Sequence, residues 1–141
     1  MKRLAVRNDS GGRGVYQARR GAKAHTGTDY SVTPGEPVYS PCSGQVKRIA
    51  RCYSDTPQYT GVVVQGATVR LKVLYVRPTV QVGEYVGRGS QIGIAQDISQ
   101  RIGKDGLYKN QGITPHIHIE VEHMDIEVLL PILELLEKNN D

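Results

Sequence analysis

With 141 residues the chain is long enough for one domain with its own core, and a second domain is not expected. Its 16 glycines, 7 prolines and 8 tyrosines, with no tryptophan or phenylalanine, point to many short strands joined by tight turns. No stretch approaches the roughly 20 apolar residues of a membrane helix and no hydrophobic signal core follows Met1-Lys2-Arg3, so membrane insertion is not expected; the net charge of +4 favours a polyanionic partner without choosing among nucleic acid, membrane surface and wall polymer.

Residues 1–24 are basic and glycine-containing, with Gly11-Gly12-Arg13-Gly14 and Arg19-Arg20-Gly21, and lack a sustained period. They are expected to form an irregular arm over a β domain spanning 25–124. From Pro34 the pattern becomes strand, turn, strand. Gly44–Ile49 alternates, Val62-Val63-Val64 is a short buried run, and Thr68–Tyr75 puts Val69, Leu71, Val73 and Tyr75 on one face at period 2. Two further strands flank the glycine turns between Val82 and Gly93. The polar stretch from Gln96 to Thr114 exceeds ordinary loop length, which marks it as functional or mobile. His116–Val121 alternates again, with Ile117, Ile119 and Val121 expected to bury. From Asp125, a capping residue, Ile126, Leu129, Leu130, Leu133 and Leu136 form the stripe of a C-terminal helix over 125–141, interrupted at Pro131. Cys42 and Cys52 are expected as free thiols, there being no export signal in view.

Three of the four histidines fall in two short motifs, His25-Thr26-Gly27-Thr28-Asp29 and His116-Ile117-His118. Period-2 geometry puts His116, His118 and Glu120 on one strand face, the two histidines about 6.6 Å apart, so one imidazole can ligate a metal while the other reaches the attacking water. His25 and Asp29 would be about 13 Å apart on a straight strand, too far for bonds of about 2.0–2.2 Å to one zinc ion, so the chain must bend between them. Gly27, tolerant of positive φ, is the expected bend. Two nitrogens and one carboxylate oxygen from His25, Asp29 and His118 would leave zinc an open fourth position, the catalytic rather than the structural arrangement.

These motifs, in this order, resemble the lysostaphin-like metallopeptidases of family M23, zinc enzymes that cleave peptide cross-bridges of bacterial peptidoglycan. The resemblance covers His25-x-Gly27-x-Asp29, Gly35-Glu36-Pro37-Val38-Tyr39-Ser40-Pro41-x-x-Gly44-x-Val46, Tyr75-x-Arg77, Val82-Gly83-x-x-Val86-x-x-Gly89-x-x-Ile92-Gly93 and His116-x-His118-Ile119-Glu120. It implies a mainly β fold with an antiparallel sheet core and a zinc groove walled here by segments 53–60 and 96–114. It assigns zinc ligation to His25, Asp29 and His118 and catalysis to His116; Glu120 is placed to brace a ligand histidine as its hydrogen-bond partner. One position departs from the pattern: the family's second catalytic histidine, two residues after Tyr75, is Arg77 here. A related vertebrate chemotaxin has lysine in a similar setting. A guanidinium stays charged and cannot take a proton from water, but it can stabilise an oxyanion.

Two functions of different class follow: a zinc endopeptidase acting on wall peptides, and a zinc-loaded module of the same fold that holds a glycan, peptide or protein without turnover. Scattered basic residues without an aromatic stacking platform argue against nucleic acid. The turns also resemble lipoyl carrier domains, but no modifiable lysine stands at a hairpin tip. The expected site of action is the bacterial cell wall, reached as a phage lysin, a virion component or a domain of an exported protein.

Overall fold

A computed structural model describes residues 4–9, 12–13, 19–20, 23–24 and 27–125. The described parts of the N-terminal segment include two-residue ladders, β1 (Asn8–Asp9) with β2 (Gly12–Arg13) and β3 (Arg19–Arg20) with β4 (Lys23–Ala24). The central strands are β5 (Thr28–Ser31), β6 (Pro37–Tyr39), β7 (Gly44–Tyr53), β8 (Thr56–Gln65) and β9 (Val69–Leu74). After them come β10 (Val76–Pro78), β11 (Tyr85–Val86), β12 (Gln91–Ala95), β13 (Ile102–Gly103), β14 (Gly106–Leu107) and β15 (His116–Met124). The C-terminal helix expected over 125–141 falls, beyond Asp125, outside the described residues.

Two antiparallel sheets make the fold, one six-stranded in the order β11-β7-β8-β9-β15-β5 and one three-stranded in the order β10-β12-β6. The alternation seen in the sequence decides which side of the large sheet is apolar. Val46, Val62, Val64, Val73 and Ile117 point to one face and pack with Val38, Val76 and Ile92 of the small sheet. Each such buried side chain contributes roughly 1.5–3 kcal/mol relative to exposure. Val63 points the other way, opposite Arg48 and Lys72 in the ladder, yet is equally buried. That second face carries Asp29, His118 and Glu120.

Three expectations change in detail. Val121 is half exposed rather than buried, because a bulge between Val121 and His123 breaks the alternation near the end of β15. The 53–60 segment is largely strand, the tip of the β7–β8 hairpin. The 96–114 segment is organised, with 3-10 turns at Ile98–Gln100 and Tyr108–Gln111 flanking the β13–β14 hairpin. Asp97 caps the first turn, its carboxylate accepting from the backbone N–H of Ser99. Cys42 and Cys52 are free, as expected, and burial pushes both thiols above their ordinary range.

Gly93 is where the small sheet tolerates no side chain, since a Cβ there would collide with Val76 Cγ1 and the Arg77 carbonyl oxygen. Gly93→Ala is therefore expected to destabilise the domain by about 1–3 kcal/mol, seen as a lower denaturation midpoint with an unchanged slope.

Candidate active site

The site begins with strand register. β5 and β15 pair antiparallel with His118 opposite Asp29 and His116 opposite Ser31, so residues 89 positions apart become cross-strand neighbours on one face. His118 Nδ1 lies 2.8 Å from Asp29 Oδ1, and His116 Nε2 lies 3.6 Å from Asp29 Oδ2. All three side chains are buried, Asp29 to 1% exposure. Glu120, next on the same face, brings Oε1 to 3.4 Å from His118 Nε2 and 3.1 Å from Lys72 Nζ.

His116 is held from two sides. Its Nδ1 lies 2.7 Å from the Thr114 carbonyl oxygen, an acceptor only, so the proton sits on Nδ1 and a neutral ring leaves Nε2 with its lone pair. The Tyr75 ring stands edge-on against the imidazole, with centroids 5.3 Å apart and planes at 90°. Tyr75 is the junction between the two sheets: β9 ends before it and β10 begins after it, and its φ is +68°, among the described residues the only positive value outside glycine. Its N–H donates to Thr60 O and its carbonyl accepts from Gln96 N–H, each at 2.9 Å, which holds the strained residue in place.

The kink also resets the alternation. Val76 enters the core and Arg77 turns outward, opposite Ile94, to line a hollow with Tyr59, Gln96 and Asp97. A separate cavity of about 310 Å³ beside His116 is lined by Arg7, Tyr53, Tyr75, Lys104 and Tyr108 among others. A larger hollow of about 490 Å³, mostly apolar among the described residues, lies against Ile117 and Ile119, on the face of β15 away from the histidines.

One wall of the cavity is tied together by Arg101. Its guanidinium carbon lies 3.4 Å above the Tyr53 ring and 5.8 Å from that of Tyr108, while Nη2 reaches Asp55 at 3.2 Å, joining the 96–114 segment to the β7–β8 hairpin tip. Tyr53 and Tyr75 share a hydroxyl–hydroxyl contact at 3.2 Å.

The 25–29 motif is only partly visible, because His25 lies outside the described residues. Among those described, no trio of His, Cys, Asp or Glu side chains stands in position to hold a metal. The described donors nevertheless suit zinc: a carboxylate oxygen and an imidazole nitrogen, buried and 2.8 Å apart. Two ligand atoms bound tetrahedrally at about 2.0–2.1 Å would sit about 3.3 Å apart, so the pair need open only by about half an ångström. Gly27 has a packing role as well. Its Cα packs so closely that a Cβ would lie 2.5 Å from Ile119 O and 2.7 Å from His118 Nε2.

Sequence reasoning missed Arg7; Tyr53 and Tyr108 fall within the segments expected to wall the groove, 53–60 and 96–114, and Tyr75 within the Tyr75-x-Arg77 motif, without an individual role. The basic N-terminal residues offered nothing to single out Arg7.

An antiparallel sheet thus carries a buried His-x-His strand opposite an aspartate. The profile described as Peptidase family M23 matches residues 23–129, and the chain belongs to that family. Among solved structures, the catalytic domain of the antimicrobial peptidase lysostaphin from Staphylococcus simulans is similar at 20% identity and a TM-score of 0.56, over 91% of this chain and 92% of that one. A mutant catalytic domain of the prophage-encoded M23 protein EnpA from Enterococcus faecalis is similar at 21% identity and a TM-score of 0.55, over 84% of this chain and 79% of that one. At these identities the likeness is one of fold. A search of curated proteins finds no significant match.

Two measurements probe the site's construction. Gly27→Ala is expected to displace the His118 ring and lower the melting temperature, since one of the clashing atoms is backbone. Burial is also the first cause raising Tyr53, Tyr59 and Tyr75 above the ordinary phenol range, Tyr75 to about 12. The unfolded chain releases those protons near pH 10 while the folded chain keeps them, so stability should fall as pH rises above about 10. An absorbance titration should show these three tyrosines ionising late, or together with unfolding.

Proposed function

We propose that the chain is a zinc-dependent endopeptidase that hydrolyses peptide bonds of bacterial peptidoglycan, with His25, Asp29 and His118 holding the metal. The observation that carries this is the buried meeting of Asp29, His118 and His116 across the β5–β15 pairing, in a chain of family M23. When bound, zinc supplies Lewis acidity to the attacking water and to the scissile carbonyl.

The chain's own groups do the rest. His116 takes the water's proton at Nε2, because Nδ1 is committed to the Thr114 carbonyl. The Tyr75 edge holds the imidazole at one orientation. Glu120 braces His118 through Nε2 and is itself anchored by Lys72. The walls made by Tyr53 and segment 96–114 receive the peptide. Arg77 occupies the family's second catalytic position and is proposed to assist the oxyanion; since it lines a hollow apart from the cavity beside His116, its removal should cost less than that of His116. The bacterial wall is the proposed site of action, and a wall peptide the proposed partner.

Purified protein is expected to release peptides from bacterial walls, to stop when a chelator strips zinc and to recover on zinc addition. His116→Ala should lower the rate by about 10²–10⁴-fold with the fold intact. Release that survives both treatments would refute the mechanism. The outward Arg77 favours a second reading, the zinc-loaded binding module without turnover; stoichiometric zinc with no peptide release, and release gained by Arg77→His, would establish it.

A further inference from the structure

The N-terminal segment puts an arginine into the site from outside the part of the chain that matches the family. Ala5, Val6 and Arg7 run beside β5 as a short extra strand. Arg7 N–H donates to Asp29 O at 2.8 Å, Ser31 N–H donates to Ala5 O at 2.7 Å, and Val6 bridges Tyr30. This docking fixes Arg7 by its backbone directly alongside Asp29. Its side chain is 2% exposed, an unusual place for a guanidinium, and Nε and Nη2 both reach Asp29 Oδ2 at 2.9 Å. The other oxygen, Oδ1, faces His118 Nδ1. Arg7 also lines the cavity beside His116.

We infer that Arg7 is a positioning residue for the Asp29 carboxylate. By engaging Oδ2 with two donors it leaves Oδ1 as the one oxygen presented toward His118, and it prevents the carboxylate from rotating to offer both oxygens to a cation. A planar fork with two donors on one oxygen sets an orientation that a point charge cannot. Asp29 thereby becomes a one-oxygen ligand, the form that suits a four-coordinate zinc site better than the many-oxygen shells of calcium. The matched family profile begins at residue 23, and Arg7 lies before it. The fixed positive charge opposes a metal ion by simple Coulomb repulsion; the inference is that orientation outweighs it.

The inference rests on the zinc reading for its consequence but not for its geometry, and the test separates the two. Full-length wild type, Arg7→Met and Arg7→Lys are compared for zinc affinity by competition with a chromophoric chelator. They are also compared zinc-free, by long-range ¹H–¹⁵N imidazole spectra, with circular dichroism to confirm folding. Arg7→Met is expected to weaken zinc about 10–100-fold and to shift the His118 resonances in the zinc-free protein, while His123, exposed at the end of β15, stays put. Arg7→Lys should fall between, and it decides the matter if the methionine variant does not fold. Unchanged or tighter zinc binding by a folded variant overturns the inference. If wild type takes up no zinc, the zinc reading fails by itself and the imidazole spectra decide: unmoved His118 resonances overturn the role of Arg7, and shifted ones support it.

Discussion

The site depends on one pairing, that of β5 with β15. Antiparallel register in a sheet is all or nothing: a slip by one residue would move His116 and His118 to the apolar face and bring Ile117 and Ile119 into the cleft. What holds the register is the burial of Ile117 among Val38, Val62, Val73 and Ile92, so the core on one face of the sheet determines the chemistry on the other. Asp29 and His118 face each other because valines and isoleucines on the opposite side must be dry.

Around that pair the structure arranges groups with fixed roles. Thr114 sets the His116 tautomer, the strained Tyr75 supplies an aromatic edge, and Arg7 and Glu120 hold Asp29 and His118 from outside. Positive φ at a tyrosine persists only where surroundings over-determine it, and here hydrogen bonds to both its peptide groups do so. The strain has a second effect. By resetting the strand alternation it sends Arg77 outward, which separates the position where the family pattern departs from the cavity beside His116.

The cavity wall has its own logic. Segment 96–114 is too long to be a simple connection, and its two 3-10 turns and short hairpin give it internal order. Arg101 then locks it to the β7–β8 hairpin by lying on Tyr53 and pairing with Asp55. A wall made this way is held by contacts from both segments.

Much was legible in the sequence because it rests on local periodicity. The alternation of β7, β9 and β15, the buried valine run in β8 and the shared face of His116, His118 and Glu120 all follow from a repeat of two, and the ordered motifs carry the family. Tertiary structure decided what depends on partners distant in the chain. Gly27 is needed for a close approach to His118, Val121 is exposed by a bulge, and the kink at Tyr75 turns Arg77 into a hollow separate from the cavity beside His116. Arg7, one basic residue among many in the N-terminal segment, becomes a buried brace only when that segment pairs with β5. A sequence displays which side chains share a strand face; only the assembled sheets decide which strands are neighbours, in what register, and therefore which charges must be buried together.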